Sequence, residues 1–219
     1  MNTINQITLD SLSKSIQRTS IVEDICFSVK SGQIVGLLGS NGSGKTTTFN
    51  LISGLSKPSS GHIYFNDQCI TKLPSYQRAR LGITYLPQES SIFQGLSVED
   101  NILSILELTP SSSIERKQRL ETLLKEFHIE HIATQAGRVL SGGERRRVEI
   151  ARTIAMNPKF ILMDEPFAGI DPKTIDEIKH ILVWLKQKSI GIIITDHNVI
   201  DTLSICDECH IIHRGKVIA

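Results

Sequence analysis

One octapeptide constrains this chain more than any other stretch. Gly39-Ser40-Asn41-Gly42-Ser43-Gly44-Lys45-Thr46 satisfies the pattern G-x-x-x-x-G-K-[ST] at every fixed position. Such a loop works only between a strand and a helix. Ile34 to Leu38 is almost continuously apolar and predicts a buried strand, and Thr47 to Ser53 can start a helix. In that setting the glycines let backbone N–H groups turn inward, and the helix N-terminus adds partial positive charge. The expected ligand is a nucleoside triphosphate with Mg²⁺. Gly39, Asn41, Gly42, Gly44 and Thr47 would form the cradle, Lys45 would reach the β- and γ-phosphates, and the Thr46 hydroxyl would ligate the metal. A flexible Gly/Ser turn is the bland alternative, but it does not call for Gly-Lys-Thr at this offset behind a strand.

A length of 219 residues suits one domain, or one domain carrying an inserted subdomain, but not two equal nucleotide-binding halves. Formal net charge is +1, which argues against broad electrostatic capture of nucleic acid, so no nucleic-acid partner is expected. No apolar run approaches the eighteen residues of a membrane span. The first residues lack the basic and apolar regions of a signal peptide, which makes the cytoplasm the default location. If the task is transport, another chain must supply the channel.

Cys26 and Cys69 are expected to be small core residues. Cys206-Asp-Glu-Cys209-His210 fits the haem-attachment string, with His213 nearby as a further metal ligand. Haem attachment needs export, and structural zinc needs a second ligand pair, so neither is favoured. His128-Ile-Glu-His131 lacks the order of a metalloprotease motif and reads as a polar helix end.

Short apolar–polar alternations over the first thirty residues predict antiparallel strands, with a turn at Lys30 to Gln33. His62 to Phe65 reads as another strand between turns. From about residue 88 the pattern becomes helical. Ser97 to Asp100 forms a capping box before Ile102, Leu103, Ile105 and Leu106. Leu120, Leu123, Leu124 and Phe127 recur at helical spacing, and a third helix starts near Ser141. Strand signals return at Phe160 to Met163 and Ile190 to Thr195. Between these strands, Asp171-Pro172 opens a helix whose buried stripe is Ile175, Ile178, Leu182 and Leu185. This alternation predicts an α/β fold with a parallel sheet and phosphate chemistry at the strands' carboxyl ends.

Three further motifs carry chemistry. Phe160-Ile-Leu-Met-Asp164-Glu165 is an apolar strand ending in two carboxylates. Asp164 suits Mg²⁺, directly or through water, and Glu165 suits a base that deprotonates the attacking water. Leu140-Ser141-Gly142-Gly143-Glu144 reads as a capped helix start with backbone N–H groups open to an anion, and Val148, Ala151 and Ile154 form its apolar face. The run Arg145-Arg146-Arg147 on that helix reads as a solvated face.

Six motifs now stand in order: the phosphate loop, Gln88 in Leu-Pro-Gln-Glu, Leu-Ser-Gly-Gly-Glu, Asp164-Glu165, Ala168-Gly-Ile-Asp171 and His197. Over essentially its whole length the chain resembles the ATP-binding-cassette (ABC) ATPases. The resemblance implies a P-loop fold with a parallel-sheet core, an N-terminal antiparallel β subdomain and an inserted helical subdomain. Residues 1–87 and 157–219 would be the nucleotide-binding core of a single domain, and residues 88–156 the helical signature subdomain. It further implies a head-to-tail homodimer in which Ser141, Gly142 and Gly143 contact the γ-phosphate bound by the partner. Gln88 would sense Mg²⁺ and the attacking water, Asp171 would lie at the dimer contact, and His197 would hold the γ-phosphate and position Glu165.

Several flanks resemble the lipopolysaccharide-export branch of that family: Tyr85 to Phe93, Glu126 to His131, Glu144 to Arg152, Asp164 to Gly169 and Thr195 to Asn198. The branched-chain amino-acid importer branch is the alternative, and its flanks match less well. The export branch implies two transmembrane permease subunits as partners, a peripheral place on the cytoplasmic face of the inner membrane, and Phe93 as an apolar anchor for the permeases. Three departures from the family pattern stand out. Ile16 occupies the place of the usual adenine-stacking aromatic, at a cost of about 1 kcal/mol in affinity. Gln94 stands where a basic residue is expected. The sequence also ends at Ala219, earlier than the family usually does.

Overall fold

The computed structural model describes residues 4–219. Strands β1 (Gln6–Ile16) and β2 (Thr19–Lys30) form a long antiparallel hairpin. The chain then enters β3 (Ile34–Leu38), the phosphate loop, and α1 (Lys45–Ser53). Next come β4 (Ser60–Phe65), the short β5 (Gln68–Cys69), α2 (Ser75–Leu81) and β6 (Ile83–Leu86). Three helices follow: α3 (Val98–Leu106), α4 (Ser113–Glu126) and α5 (Gly142–Ala155). The last third alternates β7 (Phe160–Asp164), α6 (Pro172–Gln187), β8 (Gly191–Thr195), α7 (Val199–Ile205), β9 (Glu208–His213) and β10 (Lys216–Val217).

Two sheets result. One is antiparallel, in the order β2-β1-β4-β5; the other runs β10-β9-β3-β8-β7-β6. Within the second, β9, β3, β8, β7 and β6 are parallel and only β10 is antiparallel. Strands β3, β7 and β8 are buried at every position, as continuous apolar runs flanked on both faces require. One apolar cluster fills the space between the sheets around α1, joining Ile7, Val35, Phe49, Ile63 and Leu162. A second runs from the parallel sheet into the helices through Ile161, Ile192, Val148, Phe127 and Leu182. The helical segment is therefore packed continuously onto the sheet that carries the phosphate loop.

Capping sets the helix starts. Ser97, Ser112 and Ser141 each accept a backbone N–H three residues on, and Ser112 and Ser141 complete reciprocal boxes with Glu115 and Glu144. Asp171 caps α6 ahead of Pro172, which needs no N–H partner at that position. Among the described residues no helix is long and apolar enough to cross a membrane.

Two expectations are corrected. Cys26 and Cys69 are exposed, on the outer face of β2 and on the short edge strand β5, and are not core residues. The arginine run is not a solvated face. Arg146 is 6% exposed and pairs with the buried Glu149 at 3.0 Å, while Arg147 pairs with Glu177 of α6. Cys206 and Cys209 pack their sulfurs 3.0 and 2.8 Å from the point where a Cβ on Gly36 would stand, so a side chain there would displace both.

Candidate functional site

Four neighbouring parallel strands deliver their carboxyl ends to one edge of the sheet. β3 leads into the phosphate loop, β8 into Thr195-Asp196-His197, β7 into Asp164-Glu165, and β6 into Pro87-Gln88. They meet around an open cleft of about 490 Å³ lined by Asn41, Gly42, Gly44, Lys45, Thr46, Thr47, Gln88, Glu165 and His197, together with Ile21 of β2. Most of the residues singled out from sequence therefore share one cavity.

The loop's shape depends on its glycines. Gly44 has φ +111°, and a Cβ there would stand 2.9 Å from the Ile21 carbonyl oxygen. A Cβ on Gly39 would stand 2.3 Å from the Ile212 carbonyl oxygen. Larger residues would have to push the loop off the hairpin and β9. The Lys45 ammonium donates to the Gly39 carbonyl at 2.8 Å and the Ser40 carbonyl at 3.0 Å, so the loop wraps its own cation. Burial lowers the Lys45 pKa, opposed by the nearby charges of Glu165 and Asp164.

Glu165 is held from two sides. The Gln88 amide donates to Oε2 at 2.6 Å, and His197 Nε2 lies 2.6 Å from Oε1. Its backbone takes the left-handed conformation, φ +47°, while its N–H donates to the Thr195 carbonyl at 2.8 Å. An uncommon conformation at this position, pinned by its neighbours, aims the carboxylate into the cleft. Asp164 lies behind it, 2% exposed, and accepts from the Thr195 hydroxyl at 2.7 Å and the Tyr85 hydroxyl at 3.1 Å. Burial pushes the Tyr85 phenol up, reinforced by the charge of Asp164 and the hydrogen bond to it, which keeps Tyr85 a donor. Asp196, 4% exposed, accepts from the Phe167 and Asn198 backbone N–H groups at 2.8 and 2.9 Å. It thereby joins the segments following Glu165 and His197.

Sequence reasoning missed Tyr85, Thr195, Asp196 and Ile21. Thr195 and Asp196 sit at the end of an apolar run that was recognised as a strand, which was the available signal. Nothing gave Tyr85 or Ile21 a role in the site: Tyr85 stands at the start of a family-like flank, and Ile21 within an alternating strand. Ile16 is 53% exposed at the tip of β1, whereas Ile21 lines the cleft.

Ser141, Gly143 and Asp171 stand apart from this cavity. Gly142 lines a neighbouring depression with Gln88, Glu165 and Gly169. The Ser141 hydroxyl donates to Glu144 at 2.7 Å, and Glu144 N–H donates back to that hydroxyl at 3.4 Å. The bond from the Ser141 hydroxyl, with a second from the Ser141 N–H at 2.8 Å, holds the Glu144 carboxyl below the usual range. Gly143 has a packing reason of its own, because a Cβ there would stand 2.6 Å from Thr174 Cγ2. Thr174 in turn is bound through its hydroxyl and N–H to Asp171, at 2.6 and 3.0 Å. The glycine pair was read as an opening for an anion; the second glycine also seats the first turn of α6.

The donor set fits Mg²⁺. Thr46 and Gln88 line the cleft, Asp164 lies buried just behind it, and all three carry oxygen, the hard ligand this ion prefers; among the described residues no cluster of three His, Cys, Asp or Glu side chains competes for a softer metal. A phosphate cradle, an oxygen donor set and a clasped carboxylate on adjacent strand ends define a nucleotide-hydrolysing enzyme.

Comparison with known proteins narrows that class. Residues 22–168 match the family described as ABC transporter. The chain is 52% identical over 208 residues to the lipopolysaccharide export system ATP-binding protein LptB of Acidithiobacillus ferridurans, covering 95% of this chain and 86% of that protein. To the protein of that name from Escherichia coli it is 50% identical over 214 residues, covering 97% and 89%. Its structure is similar to the ADP conformation of MJ1267, an ATP-binding cassette of an ABC transporter, with TM-score 0.89, 28% identity, and coverage of 99% and 91%. It is also similar to the dimeric structure of MJ0796, a bacterial ABC transporter cassette, with TM-score 0.87, 26% identity, and coverage of 97% of each chain. The chain belongs to the ABC transporter family, as an ATP-hydrolysing cassette.

Proposed function

We propose that this chain is the ATP-hydrolysing subunit of a lipopolysaccharide exporter. Two copies would work head to tail with a pair of transmembrane permeases at the cytoplasmic face of the inner membrane. The cargo assignment rests on half-identity to lipopolysaccharide export ATP-binding proteins over most of both chains. Those relatives do not favour the branched-chain amino-acid importer reading.

The observation that carries the chemistry is Glu165, clasped between Gln88 and His197 at the mouth of the phosphate-loop cleft. ATP would lay its phosphates along Asn41 to Thr47, with Lys45 turning from its own carbonyls to the β- and γ-phosphates. Glu165 would take the proton of the attacking water, while His197 and Gln88 fix the carboxylate's direction. Bound through Thr46, Gln88 and Asp164, Mg²⁺ would neutralise phosphate charge. Ser141, Gly142 and Gly143 of the second copy would close over the γ-phosphate, with Asp171 at the contact. Residues 88–156 would act as the signature-bearing subdomain that swings with this closure, and Phe93, half exposed, would meet the permeases.

The test is Glu165→Gln, which keeps the size and most of the hydrogen bonding but removes the base. Hydrolysis should fall by about 10²-fold or more, the usual worth of a general base. The variant should still bind Mg·ATP and shift to a dimer on size-exclusion chromatography. A variant that stays monomeric in saturating Mg·ATP would contradict the sandwich. Permeases of an importer copurifying with the chain would contradict the cargo.

A further inference from the structure

The arginine run contains one residue that reaches both halves of the catalytic clasp. Arg146 projects from the second turn of α5, one turn beyond Ser141 to Gly143, and is 6% exposed. One guanidinium nitrogen donates to Glu149 at 3.0 Å and to the Pro87 carbonyl at 3.3 Å. The other donates to the Asp164 carbonyl at 3.4 Å. Pro87 immediately precedes Gln88, and Asp164 immediately precedes Glu165. The planar fork therefore lies beneath the Gln88–Glu165 hydrogen bond, with a backbone carbonyl held on each side.

Glu149, 3% exposed, extends the tie. Its second oxygen accepts from the Ser90 hydroxyl at 2.7 Å and the Ser91 N–H at 3.0 Å. Arg152, the next turn along, donates to the Ser91 carbonyl. The loop from Pro87 to Ser91 is thus strapped to the helix that begins at Gly142. Two buried charges, paired with each other but with the Arg146 Nε left without a partner, are a poor device for stability alone, since well-packed apolar residues serve as well or better. Their geometry fits a directional one.

We propose that Arg146, seated by Glu149, is a positioning residue that sets the separation of Gln88 and Glu165 and transmits movement of the Ser141–Gly143 helix end to them. The base then takes its working position when the second copy's nucleotide engages that helix end. Arg146 touches neither substrate nor metal; it acts through two backbone carbonyls. This inference rests on the proposed ATP site and assigns that site a control element within the same chain.

The test compares three proteins: the unaltered chain, Glu165→Gln, and the double variant Arg146→Met with Glu149→Leu. Arg146→Met alone would strand a buried carboxylate and can fail to fold, so the double variant removes both charges and keeps the packing volume. Its thermal midpoint is measured first, and Arg146→Met/Glu149→Gln replaces it if it does not fold. Steady-state hydrolysis and binding of a fluorescent ATP analogue are then measured for each. The expected result is a KM and analogue affinity within about twofold of the unaltered chain and a kcat about tenfold lower or less. Faster amide exchange at residues 87–91 should accompany it. A folded double variant with unaltered kcat overturns the proposal while leaving the site reading intact, provided Glu165→Gln is inactive. If Glu165→Gln hydrolyses ATP as the unaltered chain does, the site reading itself falls and this inference with it.

Discussion

The phosphate loop and the signature-bearing helix end are built on the same physical idea and finished differently. Each is a glycine-containing turn at a helix N-terminus. At the loop the glycines press against Ile21, Ile212 and Gly215, and the Lys45 ammonium is enclosed by the loop's own carbonyls. Glu165 and His197 face it across a cleft within the same chain. At Ser141 and Gly142 the end of α5 is exposed, and its capping box satisfies only local groups. One turn has its chemistry in front of it; the other is open to solvent, with Gly142 at the edge of a depression that Gln88 and Glu165 also line. A helix N-terminus exposed apart from the phosphate loop suits the second half of a site. On the proposed reading, the two turns divide one function between binding in place and completing in trans.

Removing the anchor of the first turn should have the largest effect. Lys45→Ala deletes what is, among the described residues, the only lysine or arginine side chain lining the phosphate cleft. Hydrolysis should drop by about 10²-fold or more, and nucleotide binding by isothermal calorimetry should weaken with it. Binding left unweakened would mean that the backbone cradle alone carries the affinity.

The glycine pair separates local packing from work in trans. Gly143→Ala forces a methyl group against Thr174, with contacts of 2.6 and 2.9 Å, so it should disturb the Asp171 cap and lower the thermal midpoint by several degrees. At Gly142 an added Cβ meets only ordinary contacts at 3.6 and 3.7 Å. Gly142→Ala should therefore keep the midpoint within about a degree, while Gly142→Asp, bringing negative charge toward the partner's phosphates, should abolish hydrolysis without unfolding the chain. Equal midpoints for the two alanine variants would remove the packing role assigned to Gly143.

The smallest effect is in acid. Glu144 is held below its ordinary value of 4.5 by Ser141, so its contribution to stability is complete above that value and is lost as pH falls through the lower folded value. Thermal midpoints should hold between pH 7 and 5.5 and decline below 4.5. Glu144→Gln should show a slightly shallower decline; an identical decline would show that this box does not contribute to the acid response.

The same contrast explains what the sequence disclosed. The phosphate loop, Asp164-Glu165 and the Ser141 and Asp171 caps are local devices, in which each residue's partner lies within a few positions or on an adjacent strand end. α2 was not legible, because its seven residues show no apolar stripe. Its place is set by Arg78, 1% exposed, whose guanidinium binds the Leu51 and Ile52 carbonyls at the end of α1. β6 and β9 took their identity from long-range pairing with β7 and β3. Arg146 was misread because charge normally points to water; its spacing of three from Glu149 and four from Ile150 was the available sign of a buried pair. Cys26 and Cys69 were misread for the opposite reason, since a residue type that usually hides is here on an outer face.

Mixing two inactive chains tests the division of labour most directly. One carries Lys45→Ala with its helix end intact, and the other carries Gly142→Asp with its phosphate loop intact. In a head-to-tail pair the intact loop of one faces the intact helix end of the other, restoring one of two sites. Hydrolysis by the mixture, titrated against each variant alone, should recover to a substantial fraction of the unaltered rate. A mixture as inactive as its components would mean that both turns must act within one chain, contradicting the account.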